Sequence, residues 1–138
     1  NCIPFEKEME HVNLYLKFEK LRFEEKIKVE YNITAMDFMV PSLSIQPLVE
    51  NAVTHGLCKR DEGGILKIFT EENKKAYIIK IEDNGVGFDT SSLDSAEIKK
   101  DKVCIYSIKN RLASMLFAQL EVESTIGEGT IVTITIPK

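Results

Sequence analysis

The chain has 138 residues, 43% of them hydrophobic and 29% charged, and a formal net charge of −4. That length accommodates one domain with a real core rather than two, and that balance argues for a globular chain and against disorder. The acidic charge leans against nucleic acid as a partner, because binding phosphates needs a basic surface. Three cysteines, Cys2, Cys58 and Cys104, are odd in number and widely spaced. They offer neither metal-ligand spacing nor a disulfide framework, and they suit a reducing, cytoplasmic setting. No apolar run approaches the ~18 residues that span a membrane, and no signal peptide opens the chain. The start, without Met and inside an amphipathic pattern, points to a piece of a longer protein whose other parts could be membrane-bound.

Residues 4–24 read as a helix, with Phe5, Met9, Val12 and Leu16 at steps of four, three and four and Leu21 and Phe23 continuing the apolar side. Ile27, Val29, Tyr31 and Ile33 then alternate as one face of a strand. A second helix is expected over 45–56, with Ser44 as its N-cap, Pro47 in the first turn and Gly56 as its stop. Strands follow at Ile65–Thr70 and Ala76–Glu82 around a polar turn, then a loop rich in Gly, Ser and Asp from about 84 to 102. A third helix over 104–117 presents Ile105, Ile108, Leu112 and Met115, and two strands close the chain at Gln119–Glu123 and 131–136. This order predicts a two-layer α/β (α+β) sandwich, a mixed sheet with helices on one face.

Three short segments carry candidate chemistry. On the second helix Leu48, Val49, Ala52 and Val53 form the core stripe, and Glu50, Asn51, Thr54 and His55 form a polar one. The polar stripe is either a solvated face or a carbonyl oxygen, carboxylate and imidazole able to hold hydrated Mg²⁺ and triphosphate oxygens. Asp83 shares strand parity with Tyr77, Ile79 and Ile81 and opens Asp83-Asn84-Gly85-Val86-Gly87. Such a sequence is a common tight turn. It also suits a buried carboxylate that accepts from a purine amine, with glycines admitting the ring. Gly127-Glu128-Gly129-Thr130 reads alone as a hairpin turn.

Taken together, ENAVTHG around Asn51, DNGVGFD from Asp83 and GEGT at 127–130 resemble the N box, first glycine box and last glycine box of the ATPase superfamily of gyrase, Hsp90, histidine kinases and MutL. The nearer resemblance is to sensor histidine kinases of the YesM/LytS type, through QPLVENAVTHG and the upstream EMEHVNLYLKFEKLRF, and it spans nearly the whole chain. It implies the Bergerat ATP-binding fold over residues 26–138, preceded at 1–25 by a linker helix from a dimerisation and phosphoacceptor region. It implies ATP and Mg²⁺ as cofactors, with Asn51 on Mg²⁺ and Glu50 and His55 orienting the reacting phosphate or its nucleophile. Asp83 would accept the adenine amine, with Gly85, Gly87, Gly127, Gly129 and Thr130 shaping and supporting the site. The segment from Phe88 to Lys102 would be the ATP lid. The acceptor would be a histidine on an upstream dimerisation helix, and a response regulator would take the phosphate afterwards. The parent is expected to be a homodimeric membrane sensor with this domain in the cytoplasm, and the isolated piece to be monomeric.

One box departs from the pattern. Anchored on Arg111 and Leu112, the family's second glycine box falls on Lys102–Ser107, where both glycines and the Asn are replaced. Those glycines would let helix N–H groups reach phosphate. Three readings stay open: Lys99, Lys100 or Lys102 supply the charge instead, turnover is slow, or the domain is a degenerate, non-catalytic interaction module. Because Asn51, Asp83 and the last glycine box are kept, reduced but real ATP binding is the preferred expectation.

Overall fold

In the computed structural model the described residues are 1–23, 26–90 and 103–138. The core-facing pattern of the sequence is realised as one layer of helices on a five-stranded sheet. In chain order the elements are β1 (Cys2–Pro4), α1 (Phe5–Arg22), β2 (Ile27–Ile33), β3 (Met39–Pro41) and α2 (Ile45–Asn51). A π-helical turn (Ala52–Gly56) and a 3₁₀ turn (Leu57–Lys59) extend α2. Then come β4 (Gly64–Glu72), β5 (Ala76–Asp83), α3 (Val103–Leu116), β6 (Gln119–Thr125) and β7 (Gly129–Pro137). The sheet runs β2-β4-β5-β7-β6, with β2 and β4 parallel and every other pair antiparallel. It is the expected mixed sheet. β1 and β3 form a separate antiparallel pair that the alternation pattern did not announce.

Period-two alternation explains the layering. Leu66 and Ile68 on β4, Ile79 and Ile81 on β5, and Val132, Ile134 and Ile136 on β7 are buried under the helices. Their neighbours Lys67, Lys80 and Glu82 face solvent on the other side. Phe5, Met9, Val12 and Leu16 of α1 join the same core as the sheet. Burial of each such side chain is worth about 1.5–3 kcal/mol, so α1 is bound to the sheet layer by its own apolar stripe.

Several local expectations are corrected. Ser44 holds the N-cap position of α2 as expected, but its side chain makes no capping hydrogen bond, because its hydroxyl donates to the Pro41 carbonyl at 2.7 Å. The cap comes from α1 instead: Glu8 accepts from the Ile45 and Gln46 amides at 2.9 and 3.1 Å. Gly56 does not end the helical path, which continues to Lys59. Leu21, 73% exposed, and Met115, 37% exposed, leave the apolar stripes at the last turns of α1 and α3. Phe23 and Leu116 pack against the core in their place.

Candidate functional site

The extension of α2 separates what a helical wheel groups together. Leu57 N–H donates to the carbonyl of Ala52, five residues back, so the turn is one residue wider than an α-turn. Asn51 and His55 line a cleft between this helix and strands β5 and β7. Glu50 stands outside the cleft walls. It is half-buried, accepts from Gln46 Nε2 at 3.0 Å, and its charge is felt by Tyr15 of α1 and Cys104 of α3. The Tyr15 phenol is pushed up to about 12, chiefly by burial; Thr54 beside it opposes the rise and the charges of Glu19 and Glu50 add to it. Burial, and then Glu50, also raise the Cys104 thiol. The polar stripe therefore has two destinations: Asn51 and His55 face the cleft, Glu50 and Thr54 face α1 and α3.

Asp83 ends β5 on the covered side, as its parity with Ile79 and Ile81 requires, and is 5% exposed. Its Oδ1 accepts from the Gly85 amide at 2.9 Å, closing the DNG turn on itself. The approach of the helix to this carboxylate depends on Gly56, where a Cβ would lie 2.7 Å from Asp83 Oδ1. Gly85 packs from the other side, where a Cβ would lie 2.3 Å from the carbonyl carbon of Gly56. Neither closeness is visible in a list of turn residues. Gly56, read from sequence as a helix stop, is thus a wall of the site.

The last glycine segment forms the β6–β7 turn, and β7 pairs Thr130 with Asp83. Thr130 lines the cleft, and its Oγ1 lies 2.8 Å from Ser124 Oγ. Ser124 also donates to the Gly129 carbonyl at 3.0 Å and accepts from the Phe88 amide at 2.8 Å. It stitches the hairpin to the segment after Asp83, a role with no signal in the sequence. Gly87 and Phe88 are in the cleft wall. Gly85, Gly127 and Gly129 are not among the wall residues; Gly127 lies in the turn with open space where a Cβ would stand. Lys99, Lys100 and Lys102 lie outside the described residues, as does most of the segment read as a lid. Of the altered second box, Val103–Ser107 form the first turns of α3.

The remaining walls are apolar: Leu48, Ala52, Ile81 and Val132. Apolar sides, a buried carboxylate at one end and an amide side chain on the helix suit a flat, partly polar ring with an amine. The cleft encloses about 20 Å³, a single water's worth, and opens outward to about 340 Å³. Among the described residues no group of three or more His, Cys, Asp or Glu could hold a metal ion. The cleft itself presents one carboxylate, Asp83, one side-chain amide, Asn51, and one imidazole, His55.

Comparison with known proteins gives the site a context. The family model described as histidine kinase-, DNA gyrase B- and HSP90-like ATPase matches residues 42–138. The chain is 38% identical over 136 residues to YwpD of Bacillus subtilis strain 168, covering 96% of this chain and 49% of that protein. It is 33% identical over 145 residues to the sensor protein LytS of Streptococcus mutans, covering 98% of this chain and 25% of LytS. The chain thus spans between a quarter and a half of these relatives. The catalytic domain of histidine kinase ThkA superposes with a TM-score of 0.74 at 13% identity, covering all of this chain and 96% of that one. The histidine kinase domain of the blue-light activated kinase of Erythrobacter litoralis superposes with a TM-score of 0.68 at 22% identity, covering 98% and 61%. Both show the fold.

Proposed function

This chain belongs to the family of histidine kinase-, DNA gyrase B- and HSP90-like ATPases, and we propose that it works as the ATP-binding catalytic domain of a sensor histidine kinase. It moves the terminal phosphoryl group of ATP to a histidine on a dimerisation helix outside these residues. The observation that carries this reading is one cleft lined by both Asn51 and Asp83, with apolar walls between strand and helix. Bound there, ATP would supply the transferable phosphoryl group and Mg²⁺ would offset its charge.

The chain's own residues divide the work. Asp83 accepts from the exocyclic amine of adenine while Gly85 holds its other face. Ile81, Val132, Leu48 and Ala52 exclude water from the ring. Thr130, braced by Ser124, supports the Asp83 end. Asn51 offers its side-chain oxygen to Mg²⁺, and His55 flanks the phosphates. Glu50, on the side of α1 and α3, meets the incoming histidine and orients it. Lys99, Lys100 and Lys102 are candidates for phosphate charge in place of the missing glycines. The reading places this domain in a homodimeric sensor with a response regulator as the final acceptor. Among the described residues no helix is long and apolar enough to cross a membrane; the membrane attachment proposed for the parent lies elsewhere.

Calorimetric titration with Mg-ATP and Mg-ITP tests the reading, because inosine lacks the amine that Asp83 is proposed to accept. A site built around a hydrogen bond rejects the analogue lacking it strongly. Saturable ATP binding at least about tenfold tighter than ITP is expected, and Asp83→Asn should erase the difference. Equal affinities in the wild type would remove Asp83 from base recognition.

A further inference from the structure

Glu8 is a carboxylate in α1 with no exposed surface, and none of the three sequence boxes includes it. Burying a charge is costly unless its lone pairs are satisfied. Here three backbone amides satisfy them: Leu43 on Oε1 at 3.1 Å, and Ile45 and Gln46 on Oε2 at 2.9 and 3.1 Å. The Ile45 and Gln46 amides open α2, and the Leu43 amide belongs to the turn just before it. From the opposite side Arg111 of α3 donates to the carbonyls of Ser42 and Leu43. The residue between these grips, Leu43, has φ +58, a conformation a Leu side chain disfavours. The turn before α2 is therefore held in an unfavourable shape by a carboxylate from α1 and a guanidinium from α3.

What hangs on that turn is short. α2 is seven residues long, so Asn51 lies only about 9 Å along the axis from the capped amide of Ile45 at 1.5 Å per residue. Its far end continues into the π-turn, which packs on β5 and β7 beside Asp83. The helix thus has two anchors: the sheet at the Asp83 end and Glu8 at the other.

We infer that Glu8 is a positioning residue for the nucleotide site, setting through the start of α2 where Asn51 stands, so that the placement of α1 is read at the phosphate end of the cleft. The inference rests on the proposed ATP site and deepens it. Loosening Glu8 displaces Asn51 more than Asp83, so the phosphate end suffers and the base end does not. A contribution to folding alone has no such polarity.

The test is Glu8→Gln, whose amide turns an NH₂ donor toward the backbone amides and so loses acceptors. Three readouts are taken: thermal unfolding, affinity for adenosine, and the enhancement of ATP affinity by Mg²⁺. The expected result is a cooperative melt, adenosine affinity within about twofold of wild type, and a Mg²⁺ enhancement reduced at least about fivefold, with Glu8→Asp restoring part of it. Adenosine and Mg-ATP affinities falling together would make Glu8 merely structural and overturn the inference. An unchanged Mg²⁺ enhancement would overturn it too. Should Glu8→Gln not fold, Arg111→Lys loosens the carbonyl side of the same turn, and the same selective loss is required of it. A wild type that binds neither adenosine nor Mg-ATP overturns the ATP site itself, and this inference with it; that failure shows without any substitution.

Discussion

Replacing Gly56 by Ala separates two accounts of this site by the sign of one number. Gly56 has φ −104 and ψ −75, at the margin of the right-handed helical region and without the positive φ that would demand glycine. By helix propensity alone the substitution should stabilise the fold by up to about 1 kcal/mol. The geometry says otherwise, because the added Cβ would lie 2.7 Å from Asp83 Oδ1 and 3.1 Å from its Cγ. The carboxylate must turn away, and in doing so it gives up the Gly85 amide. A hydrogen bond to a charged group is worth about 1.5–3 kcal/mol, which exceeds the propensity gain. The net is a loss of roughly 0.5–2 kcal/mol, or several degrees at roughly 4 °C per kcal/mol for a domain of this size. The loss of adenosine affinity should be larger than the loss of stability, since the displaced group is the proposed base acceptor. Differential scanning calorimetry and adenosine titration on the same samples measure both. A raised melting temperature with unchanged adenosine binding would refute the close packing of the helix on Asp83.

Leu112→Ala removes a side chain with no exposed surface from the helix–sheet interface and should cost about 2–5 kcal/mol in urea unfolding at unchanged slope. Ser124→Ala removes the hydroxyl that joins Phe88, Gly129 and Thr130; a stability loss of about 1–2 kcal/mol is expected, together with weaker nucleotide binding. Tyr15 should be the last tyrosine to ionise in an ultraviolet absorbance titration. Its folded value of about 12 lies above the ordinary 10, so below pH 10 both states keep the proton and the phenol makes no difference. Between pH 10 and about 12 the unfolded chain loses the proton first, so stability falls across that window. Tyr15→Phe should flatten the fall, and an unchanged slope would remove Tyr15 as its source.

The layering was legible because it rests on local periodicity. Ile79, Ile81 and Asp83 share one face of β5 by parity, and Leu48, Val49, Ala52 and Val53 share one stripe of α2 and the π-turn that extends it. The family boxes were legible because their residues are contiguous. What escaped depends on partners far apart in the chain or on very short elements. Glu8 caps α2 across 37 residues, and no local rule nominates it over Ser44. Strands β1 and β3 have three residues each, too few for an alternation to show. Gly56 carries the ordinary mark of a helix end, and only the approach of Asp83 gives it another purpose. Glu50 and Asn51 are neighbours in sequence, yet α1 and α3 draw one and the cleft the other.

The central claim, a nucleotide held between Asn51 and Asp83, is tested most directly by titrating the chain with a fluorescent ATP analogue with and without Mg²⁺. Saturable binding that Mg²⁺ strengthens is expected, with Asn51→Ala abolishing the strengthening and Asp83→Asn weakening the binding at least about tenfold. No binding up to high concentration of the analogue, or binding indifferent to both substitutions, would contradict it.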